Sequence, residues 1–214
     1  MPTLTDLVGP AGPLEALLDE PAGALRAAVV FAHPHPQFGG TMHTKVVYQG
    51  AKGLARIGCA VLRFNFRGVG GSAGKFDQGE GEKADFRAAL DYMAARYPGA
   101  KLWSAGFSFG AWVALEAGAA DDRVSALIGI APPVATSISG RAYTFDGTLA
   151  STKPKFFVQG EADEVCPLEA MWAFYARLEE PKELVIVDGA DHLFEGKAAE
   201  AGEALEDLLG DFEG

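Results

Sequence analysis

The segment Gly106–Gly110 reads G-F-S-F-G and places one serine between two glycines. It follows an apolar, strand-like run at 101–105 and precedes a helical pattern at 111–119. On a sharp strand-to-helix turn, a serine projects its oxygen above the sheet and the flanking glycines relieve backbone clashes. The helix N-terminus behind the turn favours negative charge at the reacting centre. We therefore predict that Ser108 is a nucleophile.

A second G-x-S-x-G occurs at Gly70–Gly74, around Ser72. No helical pattern begins directly after it, so we expect Ser72 to lie in a flexible loop. The overlapping run 68–73 fits the dinucleotide pattern G-x-G-x-x-A but lacks the helix that must follow. A Walker A loop also fails, because Phe76 stands where a Ser or Thr should bind magnesium. No cofactor is predicted.

The base that must activate Ser108 is predicted from chain order. A serine hydroxyl is a weak nucleophile at neutral pH, so it needs a base, and the base needs an orienting acid. Of the four histidines, only His192 follows the serine, and a G-x-S-x-G serine on a strand-to-helix turn is typically followed along the chain by its acid and then its base. We predict that His192 is the base.

Three aspartates are candidates for the acid. Asp163 comes just beyond the carboxyl end of a strand-like run at 156–159, where a parallel sheet places its functional loops. Asp191 directly precedes His192, and adjacent side chains usually diverge, while Asp188 ends a strand and can cap the turn. We prefer Asp163.

The segment His33–Met42, H-P-H-P-Q-F-G-G-T-M, follows the strand-like run 28–32. Acyl transfer needs backbone N–H groups aimed at the developing oxyanion. One comes from the residue after the nucleophile, here Phe109, and one from a loop such as this.

The donor in this loop is His35 or Gln37, because Pro34 and Pro36 have no N–H. We favour His35 by its position two residues beyond His33. No metal site is predicted here, since no carboxylate or cysteine stands at ligand spacing beside the two histidines.

Aromatic residues near the catalytic positions can supply an apolar substrate wall, although such residues are as often core. The predicted substrate-binding residues are Gln37, Phe38, Phe107 and Phe194.

The elements that must position these residues alternate along the chain. Apolar runs rich in β-branched and aromatic residues predict strands at 27–32, 59–66, 101–106, 124–131, 155–160 and 183–188. Helical spacing predicts helices at 81–97, 167–180 and 196–212. This alternation predicts an α/β fold with a mostly parallel, doubly wound sheet. An antiparallel strand pair is expected at the N-terminus, over 3–8 and 14–19.

Length and charge limit the classes of protein. The 214 residues fit one domain, 1–214, with 18 Lys plus Arg against 29 Asp plus Glu and a net charge of −11. This charge excludes nucleic acid and anionic membrane surfaces as expected partners. Cys59 and Cys166 form no C-x-x-C pair, and the acidic N-terminal segment lacks the basic start of a signal peptide. A cytoplasmic location is expected.

Taken together, the chain resembles small serine α/β-hydrolases, near the bacterial group that carries H-P-H-P-x-x-G-G-T-M and is related to dienelactone hydrolases. The resemblance runs from about Ala27 to Phe194 and includes R-G-x-G-x-S at Arg67–Ser72 and G-x-x-D-x-x-x-P at Gly160–Pro167. It implies an α/β-hydrolase fold, carboxylic-ester hydrolysis and the triad Ser108, Asp163 and His192. Dienelactone hydrolases use a cysteine nucleophile, so their own substrate does not carry over.

The expected function is therefore hydrolysis of short-chain carboxylic esters through an acyl-enzyme on Ser108, with a small-molecule ester as the partner. A thioesterase or amidase with the same triad is the near alternative, and a non-catalytic ligand-binding module is an alternative of a different class. The segment 132–154 is too short for a lid domain, so an open site is expected.

Overall fold

The computed structural model describes residues 3–21, 23–135 and 142–212. The strands in these ranges are β1 Thr3–Leu4, β2 Val8–Gly9, β3 Gly12–Pro13, β4 Ala16–Asp19, β5 Ala27–Ala32, β6 Cys59–Phe64, β7 Lys101–Phe107, β8 Val124–Ile130, β9 Lys155–Gly160 and β10 Lys182–Val187. The α-helices are α1 Lys45–Arg56, α2 Glu80–Arg96, α3 Phe109–Ala119, α4 Asp146–Ala150, α5 Leu168–Tyr175 and α6 Ala198–Gly210. A 3-10 turn spans Pro36–Phe38.

Eight strands form one sheet in the order β1-β4-β6-β5-β7-β8-β9-β10. Neighbouring strands pair in parallel along β6-β5-β7-β8-β9-β10, whereas β4 pairs antiparallel with both β1 and β6. The predicted mostly parallel sheet with an antiparallel N-terminal pair is confirmed.

Alternating side chains of the strands build one core on each face of the sheet. In β5, Val29 and Phe31 pack on the face covered by α1 and α6, while Ala28 and Val30 pack on the face covered by α2, α3 and α5. A large apolar side chain buried in this way stabilises the fold by about 1.5–3 kcal/mol. The two cores hold the central strands rigidly between the helical layers.

Three details differ from the sequence predictions. The N-terminal pair is not continuous, because only Thr3–Leu4 of its first strand pairs with β4 and the turn forms its own small ladder of β2 with β3. Helix α5 is shorter than predicted, and Pro167 precedes its first helical residue rather than occupying it. Helix α1 was not among the predicted helices, although its apolar residues form a clear stripe on one face.

The parallel strands direct four loops to one edge of the sheet. The segments after β5, β7, β9 and β10 carry His33, Ser108, Asp163 and His192, and the carboxyl ends of parallel strands meet at that edge. Among the described residues, no helix is both long and apolar enough to cross a membrane.

Candidate active site

Ser108 occupies the turn between β7 and α3 in an unusual backbone conformation. Its φ is 53° and its ψ is −122°, a region that residues other than glycine rarely adopt. Its N–H donates a 2.9 Å hydrogen bond to the carbonyl of Ile130, the last residue of the neighbouring strand β8. The turn is therefore held from β8 while the hydroxyl projects beyond the sheet edge.

Two glycines allow this turn to pack closely. A Cβ on Gly106 would lie 2.1 Å from the Gly110 carbonyl oxygen, and a Cβ on Gly110 would lie 2.4 Å from the His33 carbonyl oxygen. Both distances are far below contact, and the obstructing atoms belong to the backbone. The glycines of the G-x-S-x-G motif thus permit close approach of β7, α3 and the loop after β5.

We expect Gly110→Ala to destabilise the protein, because its methyl group would have to push the His33 backbone away. Overpacking of this kind costs about 1–3 kcal/mol, and each kcal/mol lowers the melting temperature of a chain of this size by about 2–4 °C. Gly23→Ala is the matched control, since no atom lies within 4 Å of its added Cβ. Thermal unfolding followed by circular dichroism measures both, and equal melting temperatures would contradict this account.

Ser108, His192 and Asp163 form a continuous hydrogen-bonded chain. Ser108 Oγ lies 2.9 Å from His192 Nε2, and His192 Nδ1 lies 2.8 Å from Asp163 Oδ2. The Asp163 carboxylate is buried and His192 is partly exposed. The structure thus brings together the three residues that the sequence analysis selected, in the geometry of a nucleophile, a base and an orienting acid.

The Asp163 carboxylate is held by further donors that the sequence did not reveal. The N–H groups of Val165 and Cys166 donate to Oδ1 at 2.9 and 2.7 Å. The side-chain amide of Gln159 donates to Oδ2 at 3.0 Å, beside the His192 bond. Gln159 lies four residues before Asp163, next to the last residue of β9, and no motif drew attention to it.

The two competing aspartates have other surroundings. Asp191 is exposed, and its Oδ1 accepts a 2.9 Å hydrogen bond from the Glu195 N–H. Asp188 is exposed at the turn after β10. These placements favour Asp163 as the partner of His192.

Ser72 is buried rather than part of a flexible loop, which corrects the expectation from its sequence. Its hydroxyl donates to the Asn65 carbonyl at 2.6 Å and accepts the Glu15 N–H at 3.0 Å. The Glu15 carboxylate in turn accepts the Gly71 N–H and the Asn65 amide, and these bonds lower the pKa of Glu15. This polar network orders the loop, so Ser72 is a structural residue.

His33 also has a structural role. Its Nε2 accepts the Phe66 N–H at 3.0 Å, and its Nδ1 lies 2.7 Å from the Pro34 carbonyl oxygen. Burial lowers the pKa of His33 to about 4, so the ring is neutral at pH 7 with its proton on Nδ1. Both ring nitrogens are engaged, and His33 fastens the start of the loop to the segment after β6.

In the rest of this loop, the hydrogen bonds distinguish the two candidate oxyanion donors, His35 and Gln37. The Gln37 N–H donates to His35 Nδ1 at 3.2 Å, and the carbonyl of His35 accepts the N–H groups of Phe38 and Gly40 at 3.1 Å each. The backbone N–H of Gln37 is thus directed to the His35 ring. His35 is partly buried beside Ser108, whereas Gln37 is exposed.

A pocket of about 290 Å³ opens at Ser108. Its described lining is Pro34, His35, Phe38, Ser108, Phe109, Pro133, Tyr143, Val165, His192 and Leu193. Phe38 and Leu193 keep 63% and 58% of their surface exposed although both are large and apolar. Apolar side chains held in water beside a nucleophile favour an apolar ligand.

The assignment of Phe107 and Phe194 to the pocket wall is corrected. Both are almost completely buried in the core that faces α1 and α6, because Phe107 has the same strand alternation as Trp103 and Ala105. The Phe107 ring lies 5.6 Å from the His192 ring and supports it from the core side. Gln37 does not line the pocket either.

The ligand atoms of Asp163, Cys166 and His192 lie within 4.8 Å of one another, so a metal ion deserves consideration. Burial raises the pKa of the Cys166 thiol far above neutrality, and an uncharged thiol is a poor metal ligand. Asp163 and His192 already bond to each other. These groups fit proton transfer from Ser108 better than metal coordination.

A serine on a strand-to-helix elbow, followed by an aspartate and a histidine at the same edge of a mostly parallel sheet, defines an α/β serine hydrolase. An α/β serine hydrolase homologue from Coxiella burnetii has 38% sequence identity and a TM-score of 0.88, covering 97% of each chain. An α/β serine hydrolase without a lid from Xanthomonas campestris has 38% identity and a TM-score of 0.87, covering 97% of this chain and 93% of that one.

The chain belongs to the family described as serine aminopeptidase, S33, whose model matches residues 23–149. An uncharacterized protein from Rickettsia prowazekii is 36% identical over 207 residues, which are 94% of this chain and 86% of that protein. The α/β-hydrolase fold predicted from the sequence is confirmed, and the structural neighbour from Xanthomonas is described as having no lid. The relation to dienelactone hydrolases stays a prediction.

Proposed function

We propose that this protein is a carboxylesterase-type serine hydrolase that acts on compact, uncharged esters. The observation that carries the proposal is the hydrogen-bonded chain Ser108–His192–Asp163, whose serine opens into an apolar pocket. A base within hydrogen-bond reach of a serine, itself oriented by a carboxylate, is the arrangement that acyl transfer requires.

The reaction has two halves that share the same base. Ser108 Oγ attacks the ester carbonyl while His192 Nε2 takes its proton, and the tetrahedral intermediate collapses when His192 gives that proton to the leaving alcohol. Water then attacks the acyl-enzyme with His192 as base, releasing the acid and restoring Ser108. Asp163 holds the imidazole in the correct tautomer and stabilises its cation.

The oxyanion is received by the N–H groups of Phe109 and His35 in this proposal. Phe109 directly follows Ser108 and begins α3, where the first N–H groups have no acceptor within the helix. His35 is favoured over Gln37, whose N–H donates to the His35 ring. His33 keeps this loop preorganised, as oxyanion stabilisation needs.

The pocket also favours esters over peptides cleaved at their N-terminus, which are the substrates that the family description implies. An aminopeptidase must bind a free α-ammonium group, for which a carboxylate is the natural partner, and the described pocket lining contains no aspartate or glutamate. An uncharged acyl group meets mostly apolar and ring surfaces in the described lining. Thioesters and amides of the same shape would use the same machinery.

Labelling with a fluorophosphonate probe tests the proposal. The intact mass of the protein should increase by one adduct, because only an activated serine reacts at a useful rate, and Ser108→Ala should stay unlabelled. A binding module that merely keeps the fold would leave both proteins unmodified, and this result would overturn the proposal.

The second test is the dependence of kcat/KM on acyl-chain length. Each methylene contributes about 0.8 kcal/mol only while it is being buried, and a pocket of about 290 Å³ stops burying methylenes early. We expect the highest kcat/KM on p-nitrophenyl acetate or butyrate and a steep fall for decanoate and longer chains. Preference for palmitate, or a rate increase above substrate solubility, would contradict this expectation.

A further inference from the structure

Gln159 is a fully buried amide directly behind the catalytic relay. Its Nε2 donates to Asp163 Oδ2 at 3.0 Å and to the Cys166 carbonyl at 2.8 Å. A carboxylate and a backbone carbonyl can only accept hydrogen bonds, so the NH₂ group must face them. The orientation of the amide therefore follows from its neighbours.

Gln159 completes the donor set of a buried carboxylate. The Asp163 Oδ1 accepts two backbone N–H groups, from Val165 and Cys166, while its Oδ2 accepts His192 Nδ1 and Gln159 Nε2. A buried carboxylate needs such bonds to stay ionised. Within the described chain, Gln159 is the side-chain donor that shares Oδ2 with the base.

The oxygen of the Gln159 amide, unlike its NH₂ group, makes no hydrogen bond to the described residues. Gln159 Oε1 is buried without a hydrogen-bond partner among the described residues. An unpaired buried oxygen destabilises a fold, and an unbranched apolar side chain of similar size would avoid that penalty. Packing alone therefore does not account for a glutamine at this position, whereas its two N–H bonds do.

We propose that Gln159 is a positioning residue for the proton relay: it keeps the Asp163 carboxylate turned so that Oδ2 faces His192, and it shares the charge of that oxygen. Gln159 touches neither the substrate nor the reacting atoms. This inference rests on the proposed function, since it concerns how Asp163 and His192 act together.

Removal of the Gln159 donor has two expected consequences. The carboxylate loses one bond that orients it, so the imidazole is less well placed for proton transfer and kcat falls. The full charge of Oδ2 then acts on the imidazole alone, which holds its proton more tightly. The acidic limb of the kcat/KM profile therefore moves to higher pH.

The principal variant is Gln159→Met, which keeps an unbranched side chain and removes both donors. A hydrogen bond to a charged group corresponds to about 10- to 100-fold in rate, so we expect kcat to fall by that factor with KM within about twofold. The acidic limb should move up by about half a pH unit to one unit. Steady-state kinetics on p-nitrophenyl butyrate from pH 5 to 9 measure all three quantities.

Gln159→Glu is the second variant, for use if the Gln159→Met protein fails to fold, because it keeps the size of the side chain. A protonated carboxyl still donates one hydrogen bond to Asp163, whereas an ionised one places a second negative charge beside it. We expect its kcat/KM to fall as the pH rises, over a range where the unaltered enzyme shows a plateau. Ser104→Ala, which removes a buried hydroxyl from β7, is the control that should leave the profile unchanged.

The outcomes separate this inference from the proposed function. A folded Gln159→Met protein with unaltered kcat and pH profile, beside an inactive Ser108→Ala protein, would overturn the inference alone. A lower melting temperature with an unshifted profile would overturn it too, because that result marks a merely structural residue. Failure of the unaltered protein to react with the fluorophosphonate would overturn both.

Discussion

Ser108→Ala is expected to abolish ester hydrolysis, leaving at most a residual ~10³–10⁴ over the reaction in water from the oxyanion hole and binding. The substitution removes one oxygen from the turn after β7 and leaves the 2.9 Å bond of the Ser108 N–H to Ile130 in place. Folding and the pocket should therefore persist while the acyl-enzyme cannot form. Initial rates on p-nitrophenyl acetate, with circular dichroism as a check on folding, measure the effect.

Ser72→Ala is the matched control for this experiment, because it removes the serine of the other G-x-S-x-G. The change breaks buried hydrogen bonds to Glu15 and Asn65, which lowers stability by about 1–3 kcal/mol, yet it leaves the relay at Ser108 untouched. We expect kcat within about twofold of the unaltered enzyme. An inactive Ser72 variant beside an active Ser108 variant would mean that the nucleophile was misassigned.

Asp163→Asn should lower kcat by about 10⁴-fold. The amide that replaces the carboxylate carries no charge to stabilise the imidazolium, and its NH₂ group would present a donor to His192 Nδ1, which favours the wrong tautomer. The surrounding donors worsen the fit, because Val165, Cys166 and Gln159 all offer N–H groups to this side chain. Steady-state kinetics at the plateau pH measure the loss.

Asp188→Asn and Asp191→Asn are the controls for that result. Both side chains are exposed, and the Oδ1 that accepts the Glu195 N–H is retained in an asparagine at position 191. We expect each variant to keep kcat within a few-fold of the unaltered enzyme, about the range of an ordinary surface substitution. Near-normal turnover of the Asp163 variant together with collapse of either control would reassign the acid.

The local sequence pattern was sufficient to predict the parallel strands of the sheet. The six parallel strands lie within about two residues of the predicted runs, because a parallel strand covered by helices is mostly apolar and is bounded by turns. Chain order selected His192, since no other histidine follows Ser108. The sequence also indicated Asp163 as the acid, because the loop after β9 meets the other loops at the same sheet edge.

Tertiary structure alone decided which neighbours of the site line the pocket. Phe38 and Phe107 are both close in sequence to the candidate site residues, yet Phe38 lines the pocket and Phe107 lies in the core. The reason is that side-chain direction depends on strand alternation and on the path of each loop, which a linear spacing does not specify. Tyr143 reaches the same pocket from the distant segment before α4.

The same limit applies to the polar residues. Ser72 matched the G-x-S-x-G motif but is a buried structural serine, whereas Gln159 matched no motif and donates to the Asp163 carboxylate. A hydrogen bond depends on the distance and direction between two groups, and these arise only when β4, β6, β9 and their loops pack together. The sequence therefore determined the framework and the chemistry of the relay, while packing determined which side chains support it.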